Sequence, residues 1–279
     1  MKHFKDKVAV ITGGASGIGL ALARRSAAEG MNVVLADIED TALAAAADEL
    51  RGKGAQVLTV RTDVSRAEDV EQLAEQTLKA YGGVHLVCNN AGVGGVRVKT
   101  WEASAKDWQW VLGVNVWGVI HGVRVFTPIM LGQGEEGHIV NTASAAGFVS
   151  MASTAPYAVS KHSVVALSEV LYHNLQSEKA KVGVSVLCPA WVGTNIWNAQ
   201  RNRPAELLDH AETEEERARR EQVRALLEKG KVTAADVAGM TFEGIASDRF
   251  YIFPHPKIRN DIRTRMEDIL ELRNPTRTA

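Results

Sequence analysis

Short runs of β-branched and aliphatic residues recur along this chain at intervals filled by helical patterns, and that alternation constrains the fold more than any other feature. The runs are Lys7 to Thr12, Asn32 to Asp37, Val57 to Arg61, His85 to Asn89, His138 to Thr142, Gly183 to Cys188 and Phe250 to Phe253. Helical patterns fill Gly17 to Glu29, Thr41 to Leu50, Ala67 to Tyr81, Ala105 to about Thr127, and Thr154 to about Glu178. Strands alternating with helices predict βαβ units and a parallel sheet. The strand-like runs are nearly continuously apolar, as expected of strands covered by helices on both faces. The chain is therefore expected to be α/β, a doubly wound parallel sheet with helices on both faces.

The 279 residues, 46% hydrophobic and 23% charged, suit a soluble globular chain. No Pro/Ser-rich linker, internal repeat or low-complexity tract interrupts them, which predicts one domain over 1–279. After Cys188 a long segment, about 190–231, replaces the expected helix. Loops beyond a strand's carboxyl end in such sheets are usually binding loops or lids, the reading for Trp191 to Trp197, whereas the charged stretch Glu212 to Lys231 reads as a solvated surface helix. Residues 254–279 read as a C-terminal extension ending in a charged helix. Thirty-two basic against thirty-three acidic side chains leave no net field to hold nucleic acid or an anionic membrane. The apolar run Val8 to Ile11 is too short for a secretion signal, and no apolar run approaches a membrane span. Cys88 and Cys188 both lie in strand-like runs and read as buried free thiols, which fits the cytoplasm. No histidine has metal-ligand spacing with Cys or carboxylates, so no metal is expected.

The first strand runs straight into Thr12-Gly13-Gly14-Ala15-Ser16-Gly17-Ile18-Gly19 and then a helix. Glycines at such a junction let the backbone approach a pyrophosphate, whose charge is held by the free N–H groups of the helix N-terminus. The second strand ends at Asp37, eighteen residues after Gly19, close to the ~20 of a Rossmann-type dinucleotide site. A carboxylate there accepts hydrogen bonds from ribose hydroxyls and repels a 2′-phosphate. Ile38 follows, and positions 13–16 hold no basic residue, so NAD is expected over NADP. The plainer readings are helix packing by small residues and a capping role for Asp37 on the helix near Thr41.

The glycine turn, Asp63-Val64, Asn89-Asn90-Ala91-Gly92, Asn115, Ser144 and Tyr157-Ala158-Val159-Ser160-Lys161 together resemble the short-chain dehydrogenase/reductase family over roughly residues 5–195. Tyr157 and Lys161, at i and i+4, share a helix face, so the ammonium can sit beside the phenol. One positive charge at ~4 Å and an effective dielectric of ~20 is worth about 4 kcal/mol, enough to bring a phenol of pKa ~10 near 7. Tyr157 would then be the general base for alcohol oxidation and the general acid for ketone reduction.

The resemblance further implies that Lys161 bonds the nicotinamide ribose and that Ser144 steadies the substrate oxygen. It implies that Asn115 holds a water relaying protons from Lys161, against the plainer reading of a buried residue satisfying a helix kink. It places Gly13, Ser16, Gly17, Ile18, Gly19, Asp37, Asp63, Val64, Asn90, Ala91, Gly92, Tyr157 and Lys161 at the cofactor. Pro189, Val192 and Thr194 join them through a loop in which Ala190 replaces the family's usual glycine.

Ser144, Ala146, Phe148, Trp191, Ile196 and Trp197 are the expected substrate contacts, on an apolar, partly aromatic surface with few charges. They suit a hydrophobic secondary alcohol or its ketone, bulky or aryl. The alternatives are a non-catalytic NAD-binding regulator of the same fold, a 3-oxoacyl carrier reductase and a scaffold protein whose glycine turn is only structural. Asp37 argues against the NADP-preferring carrier reductase, and the retained tyrosine and lysine argue against the regulator. A homodimer or homotetramer is implied by the resemblance, with Trp108, Trp110, Trp117 and Tyr172 on helices whose apolar stripes could pair subunits. His255, between two prolines, reads as a surface or interface histidine, with a substrate contact as the alternative.

Overall fold

The computed structural model describes residues 1–150, 152–209 and 212–277. Seven strands form one sheet: β1 Val8–Thr12, β2 Asn32–Asp37, β3 Val57–Arg61, β4 Leu86–Asn89, β5 Gly137–Thr142, β6 Val182–Leu187 and β7 Tyr251–Ile252. Their order across the sheet is β3-β2-β1-β4-β5-β6-β7, and every neighbouring pair is parallel. The expected Rossmann-like sheet is therefore present, with each strand within two residues of its expected ends. The last is the shortest, because β7 pairs with β6 only through Tyr251 and Ile252.

Alternate residues of each strand face opposite layers. Ile11, Leu35 and Cys88 pack with Leu22 of α1 (Gly17–Ala28), Leu43 of α2 (Asp40–Arg51) and Phe242. Val10, Val34, Val87 and Ile139 pack on the other face with Leu73 of α3 (Ala67–Tyr81), with Phe126, and with Leu171 of α6 (Ala155–Ser177). This two-sided burial explains why the strands read as continuous apolar runs. Cys88 and Cys188 are buried and unbridged, and burial pushes the Cys88 thiol up to about 12.

Between β4 and β5 the chain is helical from Ala105 to Gln133 with a change of pitch in the middle: α4 Ala105–Leu112, a wider π turn over Gly113–Trp117, then α5 Gly118–Gln133. By length and composition this stretch is apolar enough to cross a membrane, against the expectation that no apolar run approaches a span. Here it packs against α3 and α6.

Among the described residues, the connection from β6 to β7 contains two α-helices. The charged one, α7 Glu214–Glu228, was expected; α8 Ala234–Ala246, packed on α1, was not. Its signal was in the sequence. Thr233 and Asp236 form a capping box, Thr233 Oγ1 accepting the Asp236 N–H at 3.1 Å. The C-terminal helix α9 spans Ile258–Leu270.

Candidate active site

The chain leaves β1 toward β2 and β3, then returns to β4 on β1's other side, so the carboxyl ends of β1 and β4 flank a crevice. Ligands bind doubly wound sheets at such a switch point. The cavity there has a volume of about 1320 Å³, above the ~300–1,000 Å³ of an ordinary ligand pocket.

One end of it is the glycine turn, where Gly13, Ser16, Gly17 and Ile18 line the wall. Thr12 Oγ1 accepts the N–H groups of Asn90 at 2.9 Å and Ala91 at 3.0 Å, and Asn90 Nδ2 donates to Thr12 O at 3.0 Å. These bonds lock the turn after β1 to the segment after β4. Gly13 has φ +62°, and a Cβ on it would lie 2.9 Å from Ala91 Cα. Gly19, expected at the cofactor, is not on the cavity wall. Its missing Cβ would fall 2.0 Å from Gly13 O, so its role is to let α1 reach the turn. Gly19→Ala is expected to disrupt the turn, lowering NAD affinity at least about tenfold and stability by roughly 2 kcal/mol or more; nucleotide titration and thermal melting check both.

The N-terminus of α1 is open. Ser16 makes no side-chain capping bond and the first turn carries no acid, whereas α4, α7 and α8 all carry capping boxes. The first-turn N–H groups and the helix dipole are thus free to meet an anion.

Asp37 lies across the turn from that helix. Its Oδ2 accepts the Ala15 N–H at 3.0 Å, and its Oδ1 accepts those of Ile38 at 2.8 Å and Glu39 at 3.2 Å. It does not cap α2, whose N-cap is Glu39. Burial pushes its pKa up while the three N–H donors pull it back. Asp63 and Val64 line the wall nearby, Asp63 Oδ1 accepting from Ser65 N and Oγ at 3.0 and 2.7 Å. Sequence spacing gave no sign of a strap across this end: Arg201 and Asn202, far along the chain, both donate to Glu39 Oε1.

Deeper in the cavity, Ser144, Tyr157 and Lys161 share the wall with Asn90, Ala91 and Gly92. The helix α6 delivers Tyr157 and Lys161 from one face, with Lys161 Nζ 5.6 Å from the Tyr157 ring centre. Lys161 Nζ donates to Thr142 O at 2.9 Å. Ser144 Oγ accepts the Ala146 N–H at 3.2 Å and has the Pro189 carbonyl at 3.3 Å.

The expectation of a phenol preset near 7 does not hold for the chain alone. Burial pushes Tyr157 above its ordinary value, with the neighbouring Ser144 opposing that shift, and pushes Lys161 down to about 8. The desolvation that strengthens attraction between charges also penalises each charge separately.

Asn115 sits behind this wall in the π turn. Its Oδ1 accepts the Val93 N–H at 2.8 Å, and its Nδ2 donates to Val93 O and Ser160 Oγ, both at 3.0 Å. Ser160 Oγ in turn donates to Tyr157 O at 2.7 Å. Both amide hydrogens are therefore committed to protein partners, so the side chain braces the cavity floor. These bonds tie the π turn to the loop after β4 and to α6, and none of them goes to the backbone of the kinked helix itself.

Past Tyr157 the wall contains Ala146, Trp191, Ile196 and Trp197, with Pro189, Val192 and Thr194 on the loop after β6. Thr194 reaches the glycine turn, for a Cβ on Gly17 would lie 3.2 Å from its side chain. Arg220 and Arg224 of α7 lie 5.4 and 5.1 Å from the Trp197 ring centre.

Phe148, expected at the substrate, is not on the wall. Its ring packs edge-on against Tyr251 and Phe253, with centres 5.9 and 5.3 Å away, so it joins the last strand to the core. His255 is not a free surface group. It lines the cavity, its Nδ1 accepting the Ala190 N–H at 3.1 Å and its Nε2 lying 3.2 Å from Trp191 O, which holds the loop after β6. The expectation of few charges fails too, because Arg97, Asp107, Arg203 and Arg219 all line this end.

Comparison with known proteins agrees with this geometry. Residues 7–205 match the short chain dehydrogenase family. The structure of a short chain dehydrogenase/reductase from Burkholderia phymatum in complex with NAD superposes with a TM-score of 0.97 at 52% identity, covering 100% of this chain and 99% of that one. A 1-deoxy-11-beta-hydroxypentalenate dehydrogenase of Streptomyces exfoliatus is 37% identical over 96% of this chain and 90% of its own. A C alpha-dehydrogenase of Sphingobium sp. is 34% identical over 97% and 88%. With its parallel seven-stranded sheet, glycine turn and Tyr157/Lys161 pair in one cavity, the chain belongs to the short chain dehydrogenase family of oxidoreductases.

Proposed function

We propose that the protein uses NAD to interconvert a hydrophobic secondary alcohol, bulky or aryl, and its ketone, with Tyr157 as the general acid/base. The observation that carries this reading is that Ser144, Tyr157 and Lys161 line the same cavity as an uncapped helix N-terminus and Asp37. NAD fits that end: the open N–H groups of α1 take the pyrophosphate, and the Asp37 carboxylate takes the adenosine ribose hydroxyls. The bound nicotinamide supplies the hydride acceptor for oxidation and the donor for reduction. The relative solved with NAD and the relative named a hydroxypentalenate dehydrogenase support the cofactor and the reacting group.

In the oxidation direction Tyr157 takes the proton of the substrate hydroxyl, and in the reduction direction it returns one to the ketone oxygen. Ser144 donates to that oxygen, its single hydrogen turning from the Pro189 carbonyl. Tyr157 and Lys161 titrate as a coupled pair: losing one proton leaves either phenolate with ammonium or phenol with amine. The ion-paired form is the active base. Alcohol oxidation is accordingly expected to rise with pH and level off on the alkaline side of neutrality, while ketone reduction falls.

A second copy of the chain is proposed to pair on the faces of α5 and α6, where Val159, Val170 and nearby Trp117 are exposed. Of the other expected stripe residues, Trp110 is buried in the cavity wall and Tyr172 packs on Phe250.

Absorbance at 340 nm with NAD and, separately, NADP, over a panel of aliphatic, aryl and polycyclic secondary alcohols, tests the reading. Turnover with NAD on apolar alcohols is expected; silence across the panel with NAD bound would favour a regulator. Asp37→Ala is expected to lower the NAD-over-NADP ratio of kcat/KM at least about tenfold, since removing the carboxylate ends both the ribose bonds and the repulsion of the phosphate. An unchanged ratio would refute this account of cofactor choice.

A further inference from the structure

The arginines of this cavity are not alike. Arg201 pairs with Glu39, Arg203 with Asp107, Arg219 with Glu215 and Arg220 with Glu212. Arg97, on the loop between β4 and α4, lines the same cavity, and its guanidinium has no hydrogen-bond or carboxylate partner among the described residues. A guanidinium taken partly out of water without a counter-charge is costly, and burial alone pushes this one down from its ordinary value.

The loop holding it is fixed from the far side, where Arg219 Nη1 of α7 donates to Arg97 O at 3.1 Å. Arg97 thus sits where the loop after β4 meets α7, on the wall of the cavity. Arg203, by contrast, is held by the protein: Nη1 bonds Asp107 at 2.7 Å, Nε bonds Leu207 O at 3.0 Å, and the guanidinium lies 5.2 Å from the Trp110 ring centre, with Nη2 closed off from the cavity. Val96, Val98, Trp110 and Leu207 give the same cavity apolar lining.

We infer that the substrate is an amphiphilic hydroxy acid or keto acid, whose apolar body fills this cavity and whose distal carboxylate is received by Arg97. The planar fork of a guanidinium matches a carboxylate with two parallel hydrogen bonds and holds it better than a lysine could. Such an anchor fixes the orientation of an otherwise featureless apolar molecule, presenting one carbinol to Tyr157. The assignment rests on the dehydrogenase reading only for what happens at that carbinol; recognition of the anion stands apart from it.

The test compares para-(1-hydroxyethyl)benzoate and a mid-chain hydroxyoctadecanoate, both secondary alcohols, with their methyl esters, using NAD and the wild type, Arg97→Met and Arg97→Lys. In the wild type the acid of at least one pair is expected to exceed its ester in kcat/KM by about ten- to a hundredfold. In Arg97→Met that ratio falls toward one, and in Arg97→Lys it recovers in part. Equal use of acid and ester by the wild type, or a preference that survives Arg97→Met, overturns the inference. A second readout does not need turnover: calorimetric titration of the NADH-loaded protein with the same acids and esters. Binding of an acid over its ester, lost in Arg97→Met, supports the anion site even if no alcohol is oxidised; equal binding refutes it even if alcohols are.

Discussion

Replacing Tyr157 by phenylalanine is expected to lower oxidation of an apolar secondary alcohol by about a thousandfold or more, at the upper part of the range for losing a positioned acid/base, with NAD affinity changed by less than about twofold. The substitution removes one oxygen from a side chain held by α6 and leaves the shape of the wall intact. Tyr157 O still receives the Ser160 hydroxyl at 2.7 Å, a backbone contact the change does not touch. Binding should survive because the pyrophosphate and ribose contacts are assigned to the glycine turn and Asp37. A Tyr157→Phe protein that keeps more than about a tenth of wild-type turnover would show that another group moves the proton.

Lys161→Met carries the second large effect, and its two parts have opposite signs. Turnover is expected to fall at least about a hundredfold, because the buried phenolate loses the positive charge beside it. What oxidation remains should need more alkaline conditions, since burial alone pushes the phenol up. Stability should move the other way. Burial pushes the Lys161 ammonium from 10.5 down to about 8, and at 1.36 kcal/mol per pKa unit this charge costs the folded state about 3 kcal/mol.

Between pH 8 and 10.5 the unfolded chain keeps its lysine proton while the folded Tyr157/Lys161 pair has released one, so wild-type stability from the pair rises with pH across that window. Below pH 8 both states hold the proton and the full penalty remains. Methionine removes the penalty but leaves the Thr142 carbonyl without its 2.9 Å donor, returning about 1–2 kcal/mol of the gain. The net expectation at pH 7 is a Tm higher by a few degrees. At pH 10.5 that advantage should be gone. A variant that melts several degrees below the wild type at pH 7 would contradict this view of Lys161 as a charge retained at the expense of stability.

The sheet was legible in the sequence because both faces are covered, so each strand is written as an unbroken apolar run that no surface requirement interrupts. The glycine turn was legible because close approach leaves no substitute for glycine. Gly19 shows the limit: spacing marks it as indispensable but not whether it faces a ligand or, as here, the carbonyl of Gly13. Phe148 was misplaced for a related reason. One residue along from Gly147 the chain turns away, and nothing local announces that Tyr251 and Phe253 wait on the other side.

The titration of the Tyr157/Lys161 pair was half legible. Helical spacing predicts that the two meet, but the depth of burial that sets their proton affinities is a property of the whole fold. Least legible were long-range polar pairs such as Arg203 with Asp107, and the histidine clamp of His255 on Ala190 and Trp191, since hydrogen bonds across such separations leave no periodic trace. The unpartnered Arg97 emerged only once every other cavity arginine had found its carboxylate.

The most direct test of the dehydrogenase reading follows the hydrogen itself. An apolar secondary alcohol deuterated at its carbinol carbon is incubated with NAD and either the wild type or Tyr157→Phe, and the reduced nicotinamide is examined by proton NMR. Deuterium in the reduced nicotinamide, matched one to one by ketone in the wild type and lost in the variant, is the predicted result. Reduced cofactor without deuterium, or equal transfer by Tyr157→Phe, would contradict the claim that this cavity transfers hydride under the control of Tyr157.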